Sequence, residues 1–145
     1  MRQILVMMSL LIGLGAPWTV AATTRNDVTA DDQAAIHAVV QLQLDALAED
    51  DATSAFEMAT SATRSKLGDA DRFMRLVKEH YSPVYRHERA LFSPTEEING
   101  DTIQIVRLTD LDSQVWLAVY RMQRDEDGNW KIDGCLLFKT SSVSV

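Results

Sequence analysis

From Glu88 onward the chain reads as strand after strand with no helix between them. Four extended stretches cover Glu88–Glu97, Thr102–Thr109, Gln114–Arg124 and Asn129–Thr140. Asn99-Gly100 and Asp127-Gly128 separate two of the junctions, and Leu111-Asp112-Ser113 forms a looser third. Asn-Gly and Asp-Gly favour hairpin turns because both central positions need positive φ. Strands joined by such short turns pair antiparallel; a parallel pair needs a crossover of a dozen residues or more. An antiparallel meander is therefore expected, and a doubly wound βαβ fold is excluded. Alternation along the strands is imperfect: Ile103 and Ile105 point one way, Val106 and Leu108 the other. Val115 to Tyr120 is apolar on both faces. This pattern predicts a bulge, or a sheet covered on both sides.

The stretch before Glu88 has the opposite period. Thr29 is placed to cap a helix, with Asp32 three residues on in the capping-box position. Ile36, Val39, Val40, Leu44 and Leu47 then form one apolar stripe. Gln43 falls inside that stripe and must find a hydrogen-bond partner there. A second short helix carries Phe56, Met58 and Ala59, and Thr60 to Leu67 adds a turn or two closed by Gly68. Asp69 is expected to cap a third helix with Phe73, Leu76 and Val77 inward. Pro83 should stop helical pairing and hold Ser82 extended. Helices followed by strands make an α+β domain: N-terminal helices packed in a curved four-stranded antiparallel sheet.

The chain has 145 residues, 46% hydrophobic and 24% charged, which is enough for one globular domain. Its net charge of −7 argues against nucleic acid, whose phosphates demand a basic surface. Residues 1–22 read as a secretory leader. Arg2 gives the positive start, Ile4 to Leu14 the apolar run, and Val20-Ala21-Ala22 the small residues before a cut. The apolar run is too short to span a bilayer. Cleavage after Ala22 would leave a single domain over 23–140, a flexible tail over 141–145 and no transmembrane span. Export by the general secretory route to the periplasm or the medium is the expected destination. Cys135 is the only cysteine, so no internal disulfide can form.

Three patches carry a family likeness. One is Gln43-Leu44-Asp45-Ala46, followed by Asp50-Asp51 and Ala55-Phe56. Another is Tyr81-Ser82-Pro83-Val84-Tyr85-Arg86. The last is Trp116-Leu117-Ala118 ahead of Gly128-Asn129-Trp130-Lys131-Ile132-Asp133-Gly134-Cys135. In this order the chain resembles the bacterial family called domain of unknown function 4864, itself similar to the cystatin-like, nuclear-transport-factor-two-like superfamily. The resemblance implies a cone, with a long helix held in a curved antiparallel sheet. It implies no established activity, so it transfers no catalytic residue.

Six residues are candidates for binding. Tyr81, Tyr85 and Arg86 could clamp an anion or carbonyl at a pocket mouth, or pack on the sheet with Arg86 paired to an acid. Gln43 could line a cavity, or bond a sheet carbonyl or one of those tyrosines. Trp116, with Tyr120 and Trp130 on neighbouring strands, could form an aromatic platform or simply core. Asp133, sharing a strand face with Lys131 and Cys135, could act as a base or stand solvated near the turn. His37, His80 and His87 lack the spacing of a metal site, so no metal and no cofactor is expected.

Two functions compete. The first is a non-enzymatic exported module that binds an apolar small molecule or an envelope protein, as a homodimer through its sheet. The second is an isomerase- or dehydratase-like enzyme, with Asp133 as base and Tyr81 or Tyr85 donating to an oxyanion.

Overall fold

A computed structural model describes residues 28–141. The leader expected over 1–22, and all of the expected tail except Ser141, lie outside the described residues.

Helix α1 spans Ala30–Ala48. Its capping box is reciprocal: the Asp32 amide donates to Thr29 Oγ1 at 3.1 Å, and the Thr29 amide donates back to the Asp32 carboxylate at 3.3 Å. Ile36, Val40, Gln43, Leu44 and Leu47 are buried, as the apolar stripe requires. Three shorter helices follow, α2 (Ala52–Glu57), α3 (Ser61–Leu67) and α4 (Ala70–His80). Each begins on a side chain that accepts a first-turn amide, from Asp51, Thr60 and Asp69 respectively. Gly68 closes α3 at φ 93°, a conformation that glycine adopts without steric penalty. Met58 and Ala59 lie past the end of α2, where Ala59 bridges Ile132 in parallel.

The Pro83 segment differs from expectation. The chain breaks at Tyr81, and Ser82–Tyr85 forms a further turn of helix, α5, with Pro83 in its first turn. A proline there loses an amide that would have had no partner, so it starts a helix as readily as it stops one.

The sheet has five strands, not four. Ser93-Pro94-Thr95 divides the first predicted strand into β1 (Arg89–Phe92) and β2 (Glu96–Ile98). Pro94 cannot donate to the ladder. Gln104 spans the break: its Nε2 donates to the Ser93 carbonyl at 2.7 Å, and its Oε1 accepts from Thr95 Oγ1 at 2.9 Å. Strands β3 (Asp101–Thr109), β4 (Val115–Arg124) and β5 (Trp130–Lys139) complete an antiparallel sheet ordered β1-β3-β4-β5, with β2 also on β3. The sheet is open rather than closed into a barrel.

Asn99 and Gly100 both take positive φ, at 52° and 84°, as their hairpin demands. At Asp127-Gly128 only the glycine does, at 80°. There the Asp125 carboxylate accepts the amides of Asp127 and Asn129 and shapes a longer turn.

The imperfect alternation also resolves differently. β3 is regular, with Gln104, Val106 and Leu108 inward. The bulge lies between β4 and β5: Arg121 pairs with Gly134 and Met122 with Ile132, leaving Asp133 as the extra residue. Asp133 therefore does not continue the face of Cys135. Ile36, Val40, Leu44 and Leu47 of α1 join Val106, Leu108, Ala118, Tyr120, Met122 and Ile132 of the sheet in one core. The helices cover that inner face alone. On the outer face Leu91, Leu136 and Phe138 stand 54%, 61% and 52% exposed, so the expectation of a sheet covered on both sides does not hold among the described residues.

Candidate functional site

A cleft of about 240 Å³ opens between the helices and β5. Gln43 and Leu47 of α1 form its floor, together with Ala59. Thr63 and Leu67 of α3, then Phe73, Leu76 and Val77 of α4, form one wall. Tyr81, Val84, Ile132, Gly134 and Cys135 form the other. No charged side chain lines it. The cleft follows from local sequence: Gly68 turns α3 into α4, and the bulge at Asp133 brings Gly134 and Cys135 to the rim.

Its polar atoms are few and mostly engaged. Gln43 is 5% exposed, and its Nε2 donates to the Ala55 carbonyl at 3.1 Å. The partner is thus in α2, not in the sheet or on a tyrosine. The Tyr81 hydroxyl donates to the Cys135 carbonyl at 3.3 Å. Burial raises the Tyr81 phenol, and the neighbouring Cys135 adds to the shift. Burial also pushes the Cys135 thiol up to about 12, against a smaller opposing effect of Tyr120. A thiol so raised stays protonated at neutral pH and is a poor nucleophile. Behind Cys135 the Tyr120 hydroxyl is fully buried; burial raises it far above the ordinary phenol value, and the neighbouring Cys135 adds to the shift. The cleft wall is thus uncharged at neutral pH. It can hold apolar surface and offer a neutral hydrogen bond, but it has no cation to hold an anion.

The six sequence candidates do not converge. Gln43 and Tyr81 line the cleft. Tyr85 and Arg86 lie at the far end of α5. There the Tyr85 hydroxyl donates to Asp50, and Lys78 and Arg86 reach the same carboxylate at 3.3 and 3.4 Å. Both cations also sit over the Tyr85 ring. Hydrogen bonds from Tyr85 and Lys78 hold the Asp50 carboxyl below its usual range. Trp116 stands at one end of the sheet, its indole donating to Asp110 at 2.8 Å. Trp130 stands at the other, donating to Asp32 at 3.2 Å. Tyr120 alone of that aromatic set is core.

Asp133 sits in the bulge beside the cleft. One carboxylate oxygen accepts from Thr60 Oγ1 at 2.8 Å and Thr63 Oγ1 at 3.5 Å, and the other pairs with Arg121 at 3.0 Å. Thr60 and Thr63 were missed from sequence, because a capping threonine reads the same whether or not a distant strand needs its hydroxyl. Among the described residues no cluster of histidine, cysteine and carboxylate could hold a metal ion. No helix among them is long and apolar enough to cross a membrane.

No curated protein and no solved structure matches the chain. One family profile does match, over residues 29–145, which takes in every helix and strand described above. The chain belongs to the family described as domain of unknown function (DUF4864).

Proposed function

We propose that the protein is an exported, non-enzymatic binding module that self-associates through its sheet and holds a small, uncharged, apolar ligand in the cleft. The carrying observation is the cleft wall: apolar along its length, free of formal charge, and backed by a thiol and phenols that stay protonated. An apolar pocket with one or two neutral polar atoms suits a ligand with a hydrocarbon body and at most a hydroxyl or amide. The exposed apolar row on the outer sheet face supports self-association, since monomers rarely leave large contiguous apolar patches in water. Export rests on the order of charge, apolar run and small residues in positions 1–22.

Two fluorescent probes of similar bulk test the cleft. Neutral N-phenyl-1-naphthylamine should brighten on binding, and anionic 1-anilinonaphthalene-8-sulfonate should not. Leu76→Trp, which fills the cleft, should abolish the signal, while Leu136→Asp on the outer face should leave it intact. Equal brightening of both probes, or a signal indifferent to Leu76→Trp, overturns the reading. An intact mass beginning at Thr23 in protein recovered from the producing cells checks export.

A further inference from the structure

The outer face has an apolar middle and charged ends of opposite sign. Leu91, Ile105, Leu117, Val119, Leu136 and Phe138 come side by side through the β1-β3, β3-β4 and β4-β5 registers. At one end of β3, Arg107 lies beside Leu91, and Arg89 pairs with Thr109. At the other end, Glu96 pairs with Ile103, and Asp101 begins the strand opposite Ile98. Two cations share that end: Arg121, in the row of Glu96 and Ile103, is paired with Asp133, and Lys131, beside Gln123, turns its ammonium to the Glu57 carbonyl, so the end keeps an acidic excess. The face thus has a basic end and an acidic end about 20 Å apart, six residues along one strand.

We infer that this face docks a second copy of the chain, sheet on sheet, about a two-fold axis that lies in the interface and runs across the strands. The inference rests on the self-association proposed above and adds its geometry. A two-fold interface sets one patch against itself. An axis across the strands lays each β3 on its mate running the opposite way. Each basic end then covers an acidic end, and the contact is made twice. An axis along the strands would set Arg89 and Arg107 against the same end of the second copy, like charge on like. The apolar middle supplies the affinity in either case, so the charged ends select the orientation. Facing sheets cross at about 30°, a rotation small enough to keep opposite ends within reach of long Arg and Glu side chains.

The test uses the whole chain, purified from producing cells and followed by sedimentation equilibrium from micromolar to sub-millimolar concentration. A dimer is expected. Leu136→Asp should make it a monomer with an unchanged circular dichroism spectrum, because Leu136 is exposed in the single copy. Arg107→Glu should weaken the dimer, and so should Glu96→Lys combined with Asp101→Lys. Mixing those two variants should restore a dimer, since both ends of the mixed pair are attractive. Native mass spectrometry would then show the heterodimer dominating. A dimer that Leu136→Asp abolishes, but that Arg107→Glu strengthens or leaves unchanged, overturns the orientation and leaves self-association standing, because an axis along the strands would have set arginine against arginine. A mixture that fails to restore the dimer overturns the charged ends as part of the contact. A dimer untouched by Leu136→Asp overturns the docking face. A monomer throughout overturns both.

Discussion

The two faces of β4 are built from the same kinds of residue and meet different surroundings. Ala118, Tyr120 and Met122 point inward and are buried against α1. Leu117 and Val119 alternate with them and are only half-buried. Hydrophobicity alone therefore does not say which face the helices cover. What distinguishes them is the supporting detail. On the inner face Gln104 serves the backbone where the β1-β2 break interrupts the ladder, donating to the Ser93 carbonyl and accepting from Thr95. The outer face has no such groups in its apolar middle. Its charges flank the apolar row, Arg107 between Leu91 and Leu117 on one side and Glu96 and Asp101 on the other, where they can steer a partner.

Truncation on each side is the harshest test of this contrast. Leu44 is 1% exposed and packed in the core. Leu44→Ala should cost about 2–5 kcal/mol, the range for emptying a buried leucine site. Leu136→Ala should change stability by less than about 0.5 kcal/mol, as an exposed position should. Urea denaturation of both variants measures the difference. It must be run at concentrations low enough to dissociate any dimer, because association would add linked stability to the outer-face residue. Equal losses would break the distinction between the faces.

The bulge at Asp133 is where the two faces meet, and it offers a finer test. Its carboxylate takes Thr60 from the helix side and Arg121 from the outer side. Asp133→Ala takes the shared acceptor from the Thr60 and Thr63 hydroxyls and leaves Thr60 only Thr63 Oγ1, at 3.0 Å, so it should cost about 1–2 kcal/mol. Arg121→Ala removes an exposed partner and should cost less than about 0.5 kcal/mol. Thermal melts of the two variants and the double variant would separate the contributions. A larger loss from Arg121→Ala would mean that the outer ion pair, not the threonine contact, holds the bulge.

Local signals in the sequence carried much of this architecture. Thr29 with Asp32, Asp69, Gly68 and Asn99-Gly100 all act where expected, because capping and tight turns are decided within a few residues. The α+β order and the apolar stripe of α1 were legible for the same reason. What misled was non-local. Ser93-Pro94-Thr95 splits a strand only because Gln104, from the next strand, stabilises the break. The bulge at Asp133 shows only in the register of β5 against β4. Pro83 is ambiguous in principle, since a proline suits both the end of one helix and the first turn of another. Among the site candidates, Gln43 and Tyr81 come to the cleft. Tyr85 and Tyr81 are four residues apart, yet the turn of α5 sends one to the cleft and the other to Asp50.

Acid should expose the smallest difference between the two faces. Each end of the inner face is closed by a tryptophan whose indole donates to a carboxylate, Trp130 to Asp32 and Trp116 to Asp110. These bonds help hold both aspartates below their ordinary value. For Asp32 the larger influence is the hydrogen bond from Thr29, with Trp130 next; for Asp110 it is Trp116 first. A carboxyl depressed in the folded state stabilises fully above its unfolded pKa, about 3.9, and loses that stabilisation as pH falls through the lower folded value. Stability should therefore be flat from neutrality to about pH 5 and decline below about pH 4. Tryptophan fluorescence should change in the same window, because both indoles lose charged acceptors. Asp110→Asn keeps an acceptor oxygen without a titrating proton, so it should make the acid limb shallower, with Asp32 and Asp50 left to titrate, while leaving neutral stability nearly unchanged. Asp101→Asn, at the acidic end of the outer face, has no such indole partner and should leave the fluorescence change in place. If the two asparagine variants flatten it equally, the carboxylate–indole pairs are not what closes the inner face.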